Sequence, residues 1–473
     1  MVSDDGLRAA KEKMQAEGVP DAAIATFEHY YEQLVAGESG MLPDDDLDQL
    51  SDVPAYEDLP EEEDREALDK TVVIKLNGGL GTSMGMEQAK SLLEVKEGRS
   101  FLDIIACQVL ELRKRFDARL PLVLMNSFYT RDDTLAALER HPELESDVPA
   151  DFVQNKEPKI LVDDLTPAEW PDDPSLEWCP PGHGDVYTAL QTSGTLDELV
   201  ERGYEYAFLS NSDNLGAALD PRVLSWFAAE GFPFVMEVCE KTPADRKGGH
   251  PAVLKETGLL VLRETAQTPE EDLEKFGDID TWKYFNTNNL WVNLRALASV
   301  LEENDGVLGL PMIVNKKTVD PGDKSTPEVF QLETAMGAAV GVFEGAKTLV
   351  VPRRRFAPVK TTSDLLVLRS DAYVLTDDFR VEPSPDLPDG LPLVELDSDH
   401  FKLLRDFDAR FPAGPPSLVG ARKLAVEGDV KFGRDVVVRG EVEVRSDRPA
   451  GAVGVEAVAV DQLVIEDGAV LEG

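Results

Sequence analysis

The stretch Lys75–Ser91, KLNGGLGTSMGMEQAKS, follows directly on the apolar run TVVI at residues 71–74. A buried-looking strand that empties into glycines Gly78, Gly79, Gly81 and Gly85 marks a phosphate-binding turn, because backbone without Cβ atoms can curl its N–H groups around an anion. Spacing then separates the kinds of turn. A Walker loop needs its lysine immediately after the last glycine, whereas Lys90 stands five residues beyond Gly85. A dinucleotide fingerprint needs G-x-G-x-x-G, and Gly79, Gly81 and Gly85 put the third glycine one position late. That reading is weakened rather than removed, and a third stands beside it: a nucleotidyltransferase loop, in which backbone amides hold a nucleoside triphosphate and a lysine farther on reaches its phosphates.

Working outward from this loop, short β-branched or aromatic runs alternate with helical stretches. LPLVLMN, a helix around DDTLAALERH, PKILV and YEYAFLSN follow in turn, which predicts an α/β domain with a mostly parallel sheet and ligand loops at the carboxyl ends of its strands. Upstream, residues 1 to about 40 have an approximately helical apolar spacing (Leu7, Met14, Ile24, Phe27, Tyr31, Leu34). The acidic, proline-bearing segment 41–69 is too polar for a core of its own and is expected to be a solvated linker or arm over the next domain. Downstream, Val430, Val436 and Val442 recur every six residues, as do Val426, Phe432, Val438 and Val444, and Val458, Val464 and Val470 resume the step. Hexapeptide recurrence predicts a β-helix, although plain β-alternation gives some of the same coincidences; such a tail commonly serves as an assembly surface.

Composition narrows the function classes. The 91 acidic and 47 basic residues of this 473-residue chain give a formal net charge of -44, which repels nucleic acid and anionic membranes. No apolar run approaches a bilayer span, the N-terminus lacks a secretory pattern, and Cys107, Cys179 and Cys239 show no metal or redox spacing. A cytoplasmic protein with reduced thiols is the expectation. An anionic substrate must then find a locally basic pocket, so lysines inside motifs carry more information than acidic runs.

KLNGGLGTSMG with AKS, then PPGHGDVY, SNSDNLG, KGGHP, FNTNNLW and PVKTTSDLL, stand in the order found in the UTP–glucose-1-phosphate uridylyltransferase family, and the chain resembles that family over most of its length. The resemblance implies a Rossmann-like sugar-nucleotidyltransferase domain with a mixed, mostly parallel sheet and a C-terminal left-handed β-helix. The parts would be an N-terminal helical segment and acidic linker at 1–70, a catalytic domain at 71–400 and the β-helix at 401–473. It further implies Mg²⁺-dependent conversion of UTP and glucose 1-phosphate to UDP-glucose and pyrophosphate, and assembly of copies through the β-helix. Two departures stand out: Met86–Ala89 precede Lys90 where many members have a proline, and His250 stands where a threonine is common.

By this resemblance Leu76, Asn77, Gly78 and Gly79 present backbone to uracil and ribose, and Lys90 faces the triphosphate. Met125 and Gln154 stand at uracil-contact positions, the amide of Gln154 offering both a donor and an acceptor. Gly182 corresponds to a uridine-nucleotide contact and His183 to a sugar-phosphate contact. His183 lies between Gly182 and Gly184, which leaves an imidazole room to approach a phosphate, and Asp185 is expected to be a local cap or turn acceptor. Asp213, at the end of a strand, is the Mg²⁺ candidate and a nucleotide-site residue, although SNSDN taken alone also fits an Asx turn. Asn211, Gly249, Glu264, Phe285, Asn286 and Asn288 correspond to the sugar pocket, with a capping turn an equal reading of NTNN. Lys360 is the second cation at the phosphates, and the neighbouring Arg353–Arg355 are expected to form a solvated edge. Two rival functions remain: a pyrophosphorylase of the same family acting on other UDP-sugars or UDP-N-acetylhexosamines, and a non-catalytic sugar-nucleotide-binding protein.

Overall fold

The computed structural model describes residues 2–388, 390–446 and 462–473. A central sheet is built from β1 (Thr71–Asn77), β2 (Leu122–Asn126), β3 (Asp151–Val153), β4 (Tyr206–Asn211), β5 (Phe234–Glu240), β6 (Tyr284–Asn293) and β7 (Lys347–Val350). Its order is β7-β5-β6-β4-β1-β2-β3. β6 runs antiparallel to both of its neighbours and the remaining pairings are parallel. The fold is therefore mixed α/β with a largely parallel sheet. Alternate residues feed two apolar layers: Val73, Leu122 and Leu124 go to one, and Val72, Ile74, Val123 and Met125 to the other. Burial on both faces explains why Val72, Val73 and Ile74 of β1 follow one another without polar alternation.

Register decides where the polar loops emerge. Leu76 lies between Asn211 of β4 and Met125 of β2, and Asn77 is level with Asn126, so β1, β2 and β4 end together at one edge. This is the crevice that α/β sheets offer to ligands.

The N-terminal helices α1 (Val2–Ala16) and α2 (Asp21–Ala36) bury Met14, Phe27 and Tyr31 against Ile160, Met312 and Leu332. The acidic segment behind them is seated rather than solvated. Leu47 and Asp48 pair with Leu254 and Val253, Asp44 meets the fully buried Arg263 at 3.0 Å, and Leu47 and Leu59 are buried. A few apolar anchors and acid-to-arginine contacts suffice to fasten an arm whose composition is otherwise that of a spacer.

Near the C-terminus the hexad residues Val426, Val430, Phe432, Val436, Val438, Val442 and Val444 are all buried. Strand Ser417–Glu427 pairs in parallel with Val437–Arg445, bringing Leu424 level with Val442 and Val426 level with Val444, and Val430–Phe432 pairs in parallel with Leu463–Ile465. Leu393–Leu396 joins the same stack ahead of residue 401. Val458 lies outside the described residues. The buried hexad side chains share one continuous core with Val73, Phe101 and Phe208 of the central region. No helix among the described residues is long and apolar enough to cross a membrane.

Candidate functional site

Beyond β1 the chain turns on Gly81 and Gly85, whose φ values of 67° and 73° lie in the left-handed region, and between them runs a single helical turn, Thr82–Met84. The loop closes on itself when the Lys90 amide donates to the Gly79 carbonyl at 3.0 Å. The Lys90 stem crosses the loop beside Gly81, where an added Cβ would sit 3.4 Å from Lys90 Cγ and 3.0 Å from Met86 Sδ, and the left-handed φ favours glycine there. Lys90 Nζ then donates to Asp213 Oδ2 at 2.6 Å and to the Val359 carbonyl at 2.5 Å. One ammonium thus joins the glycine loop, the turn after β4 and the approach to Lys360.

Gln154 borders this loop, since a Cβ on Gly78 would lie 2.9 Å from its Oε1. Its neighbour Asn155 is anchored by Asp185, which accepts from the Asn155 amide at 2.6 Å and from Nδ2 at 2.8 Å. Asp185 therefore does not cap its own helix but ties that helix to the 154–155 turn. Burial pushes its carboxyl up to about 7 against the pull of the two bonds from Asn155. Met125 is buried with Leu76 and Phe152 in the apolar layer below the crevice. The Asn77 side chain is spent on Asn126 Oδ1 and Thr134 Oγ1, leaving backbone as its contribution to the loop.

The glycines around His183 are packed closely against a neighbouring strand end. A Cβ on Gly182 would fall 2.6 Å from the Thr334 carbonyl oxygen, and one on Gly184 2.3 Å from Thr334 Oγ1. Both glycines therefore let two backbones pack together. The same contact aims the imidazole: Nδ1 accepts from the Met336 amide at 3.0 Å, so the neutral ring carries its proton on Nε2.

A second group gathers on β6 and the strands beside it. FNTNN is neither a turn nor a cap but lies inside β6, where the pairing with β5 slips between Met236 and Val238 and Asn288 takes a φ of 58°. This bulge holds Asn286 and Asn288 together, Asn286 Nδ2 donating to Asn288 Oδ1 at 2.9 Å. Gly249 accepts from the Asn286 amide at 2.8 Å, and a Cβ there would lie 2.4 Å from Glu264 Oε2. Burial raises the Glu264 carboxyl, and the charges of Lys360 and Lys241 act to lower it. Phe285 is buried with its ring 4.8 Å from that of Phe356. Lys360 is exposed, and its amide donates to Asp364 Oδ2 at 2.9 Å in the cap of α3 (Thr362–Arg369). Asn211 closes β4 between the two groups. His250 takes no part in them: its ring is fully buried and stacks 4.2 Å from Trp282.

Sequence reasoning missed the buried charges behind these loops. Arg355 is not at a solvated edge. Its Nε and Nη2 meet Glu237 Oε2 and Oε1 at 2.8 and 2.6 Å, with both residues buried. Arg353 pairs with Asp245 at 2.7 Å. Lys75 Nζ, also buried, donates to Ser210 Oγ at 2.7 Å and to the Ala217 carbonyl at 2.6 Å. Burial, aided by the charge of Arg355, lowers it to about 7. The signal was present: Lys75 and Glu237 interrupt apolar strand runs, and a charge inside a buried strand requires a partner.

The carboxylate the sequence singles out for a divalent cation, Asp213, stands at the crevice paired with Lys90, and no group of three or more acidic, imidazole or thiol side chains converges among the described residues. That suits Mg²⁺, which commonly takes one or two carboxylates and fills its remaining positions with substrate phosphate and water.

A largely parallel sheet with a glycine turn and a lysine–carboxylate pair at its carboxyl edge defines an α/β protein of nucleotide-handling type. The family model described as UTP--glucose-1-phosphate uridylyltransferase matches residues 24–439, and the chain belongs to that family. A UTP--glucose-1-phosphate uridylyltransferase of Hordeum vulgare is 40% identical over 99% of this chain and 95% of its own, and that of Saccharomyces cerevisiae is 41% identical over 84% and 79%. Among solved structures, a mutant UDP-glucose pyrophosphorylase from Leishmania major in complex with UDP-glucose superimposes with a TM-score of 0.91 at 45% identity, covering 99% of this chain and 98% of that one. A Trypanosoma brucei structure described as UDP-glucose phosphorylase gives 0.89 at 42% identity, with 99% and 98% covered.

Proposed function

We propose that this protein transfers the uridylyl group of UTP to α-D-glucose 1-phosphate, releasing pyrophosphate and forming UDP-glucose. The observation that carries this reading is the junction at Lys90, where the glycine loop, Asp213 and the segment leading to Lys360 meet through one ammonium. A phosphate oxygen of the sugar phosphate attacks the α-phosphorus in line. The new P–O bond forms as the bond to pyrophosphate breaks, so no enzyme nucleophile is required and the protein contributes position and charge. Leu76, Asn77, Gly78, Gly79, Met125, Gln154 and Gly182 form the uridine side, Gln154 reading the base edge and Met125 supporting it from below. Asn211, Gly249, Glu264, Phe285, Asn286 and Asn288 form the sugar side, with His183 donating from Nε2 to the sugar phosphate. Lys90 and Lys360 neutralise phosphoryl oxygens. Asp213 would hold Mg²⁺, which when bound supplies further neutralisation of the triphosphate.

The names of the relatives and the UDP-glucose complex favour glucose over other sugars. A panel of sugar 1-phosphates assayed for pyrophosphate release tests this choice, and faster turnover with N-acetylglucosamine 1-phosphate would reverse it. Further parts of the proposal are a cytoplasmic location and the division at 1–70, 71–400 and 401–473. The buried hexads and parallel stacking support a left-handed β-helix as the last part, and its terminal strand, with Val470 exposed, as a surface for assembly of copies.

A further inference from the structure

Lys360 is exposed on a loop, yet charge neutralisation at a reacting phosphate demands a fixed position. What fixes it lies beneath. Opposite the bulge in β6, Glu237 accepts four hydrogen bonds: from Arg355 Nε and Nη2, from Asn289 Nδ2 at 2.9 Å and from Trp291 Nε1 at 2.9 Å. Its carboxylate is thereby saturated, and the arginine fork is locked in a plane. Arg355 Nη1 reaches on to the Ala218 carbonyl at 3.1 Å, in the segment that follows Asp213.

The backbone between Arg355 and Lys360 is stitched to that same segment. Asn214 Oδ1 accepts from the Ala357 amide at 2.8 Å, and the Val359 amide donates to the Asp213 carbonyl at 3.1 Å. A Cβ on Gly216 would lie 2.6 Å from the Arg354 carbonyl oxygen, so the two chains touch without intervening side chains. Downstream, the cap of α3 holds the Lys360 amide. Lys360 is thus suspended between a helix cap and a buried ion pair.

We infer that the buried Glu237–Arg355 pair is a positioning device for Lys360, setting where its ammonium stands relative to Asp213. The pair is too deep to touch substrate, and its effect passes through the 355–359 backbone. This rests on the reading of Lys360 as a cation at the reacting phosphates.

The test is a double-mutant cycle between Arg355→Lys and Lys360→Ala, read as kcat alongside the Kd for UTP. Arg355→Lys keeps the charge but loses the fork. The expected result is a folded protein with UTP affinity within about twofold of the parent and kcat reduced by about 10²-fold, the scale of a displaced catalytic group. In the Lys360→Ala background the same substitution is expected to cost nothing further. If Arg355→Lys does not fold, Asn214→Ala, which removes the link to the Ala357 amide, must show the same non-additivity. Losses that multiply independently, or an unchanged kcat in the first variant, overturn the inference while leaving the role of Lys360 standing. Full activity of Lys360→Ala alone would remove both.

Discussion

Lys90 Nζ stands 2.6 Å from Asp213 Oδ2, a charge pair joining the turn after the first strand to the turn after the fourth. Both side chains are largely enclosed, at 16% and 24% exposure, so the contact is closer to a buried bridge than to a surface one. It also places the two groups where they compete: the carboxylate proposed to hold a metal is already engaged by the lysine proposed to meet phosphate. Substrate phosphate, by drawing the ammonium, would release the carboxylate.

The pair therefore predicts that only one of its two members sets the metal requirement. Asp213→Asn should raise the Mg²⁺ concentration needed for half-maximal rate. Lys90→Met should lower kcat by about 10²-fold, the scale for loss of one stabilising charge, without raising that concentration. Rates measured across a Mg²⁺ titration decide this. An unchanged metal dependence in Asp213→Asn would remove it from the metal site.

Gly249 predicts a split between substrates. Any side chain there drives a Cβ to 2.4 Å from Glu264 Oε2. Gly249→Ala should raise KM for glucose 1-phosphate by about tenfold or more, the cost of modest overpacking, and leave UTP affinity alone. Equal loss for both substrates in steady-state kinetics would count against separate uridine and sugar sides.

Lys75 predicts a pH dependence of stability. Its amine falls from 10.5 to about 7 on folding because of burial, so between those values the unfolded chain binds the extra proton. Stability from this group therefore rises with pH from about 7 towards 10.5, by about 1.4 kcal/mol per pH unit, and the burial cost is fully present below 7. Because Lys241, Lys96 and Lys159 are also lowered by burial, the Lys75 contribution is the difference between wild type and Lys75→Met in denaturant unfolding across this window, with the steeper rise expected in wild type. Parallel pH profiles would mean that Lys75 is not buried as an amine.

Phe432 tests how far the C-terminal stack is independent. Its ring stacks 4.9 Å from Phe411 inside the core that also holds Val73. Phe432→Ala should cost about 3–5 kcal/mol and shift one cooperative unfolding transition. Two separated transitions in calorimetry would instead mark a self-sufficient tail.

Much of the sheet and the edge that carries the loops was legible from residues 71–91 and the alternation behind them, because apolar periodicity and glycine placement are local properties. The hexad residues from Val426 to Val444 announced their burial for the same reason, whereas Val464 and Val470, which continue the same step, are exposed. Contacts between distant segments were not legible. Asp185 looks like a local acceptor until Asn155, thirty residues earlier in the chain, is found beside it. That Gly182 and Gly184 also pack against Thr334, far on in the chain, is equally invisible in the local sequence. Arg355 sits in a run of arginines that reads as surface, and only the bulge opposite Glu237 reveals a pocket for its fork. The buried charges behind the loops, Glu237 with Arg355 and Lys75 with Ser210, required the structure.

Whether the protein catalyses uridylyl transfer is decided by the forward reaction: purified protein with UTP and glucose 1-phosphate, with and without Mg²⁺, following UDP-glucose and pyrophosphate together. Both products should appear in equal amounts and only when Mg²⁺ is present. Binding of UDP-glucose with no metal-dependent release of pyrophosphate would contradict this.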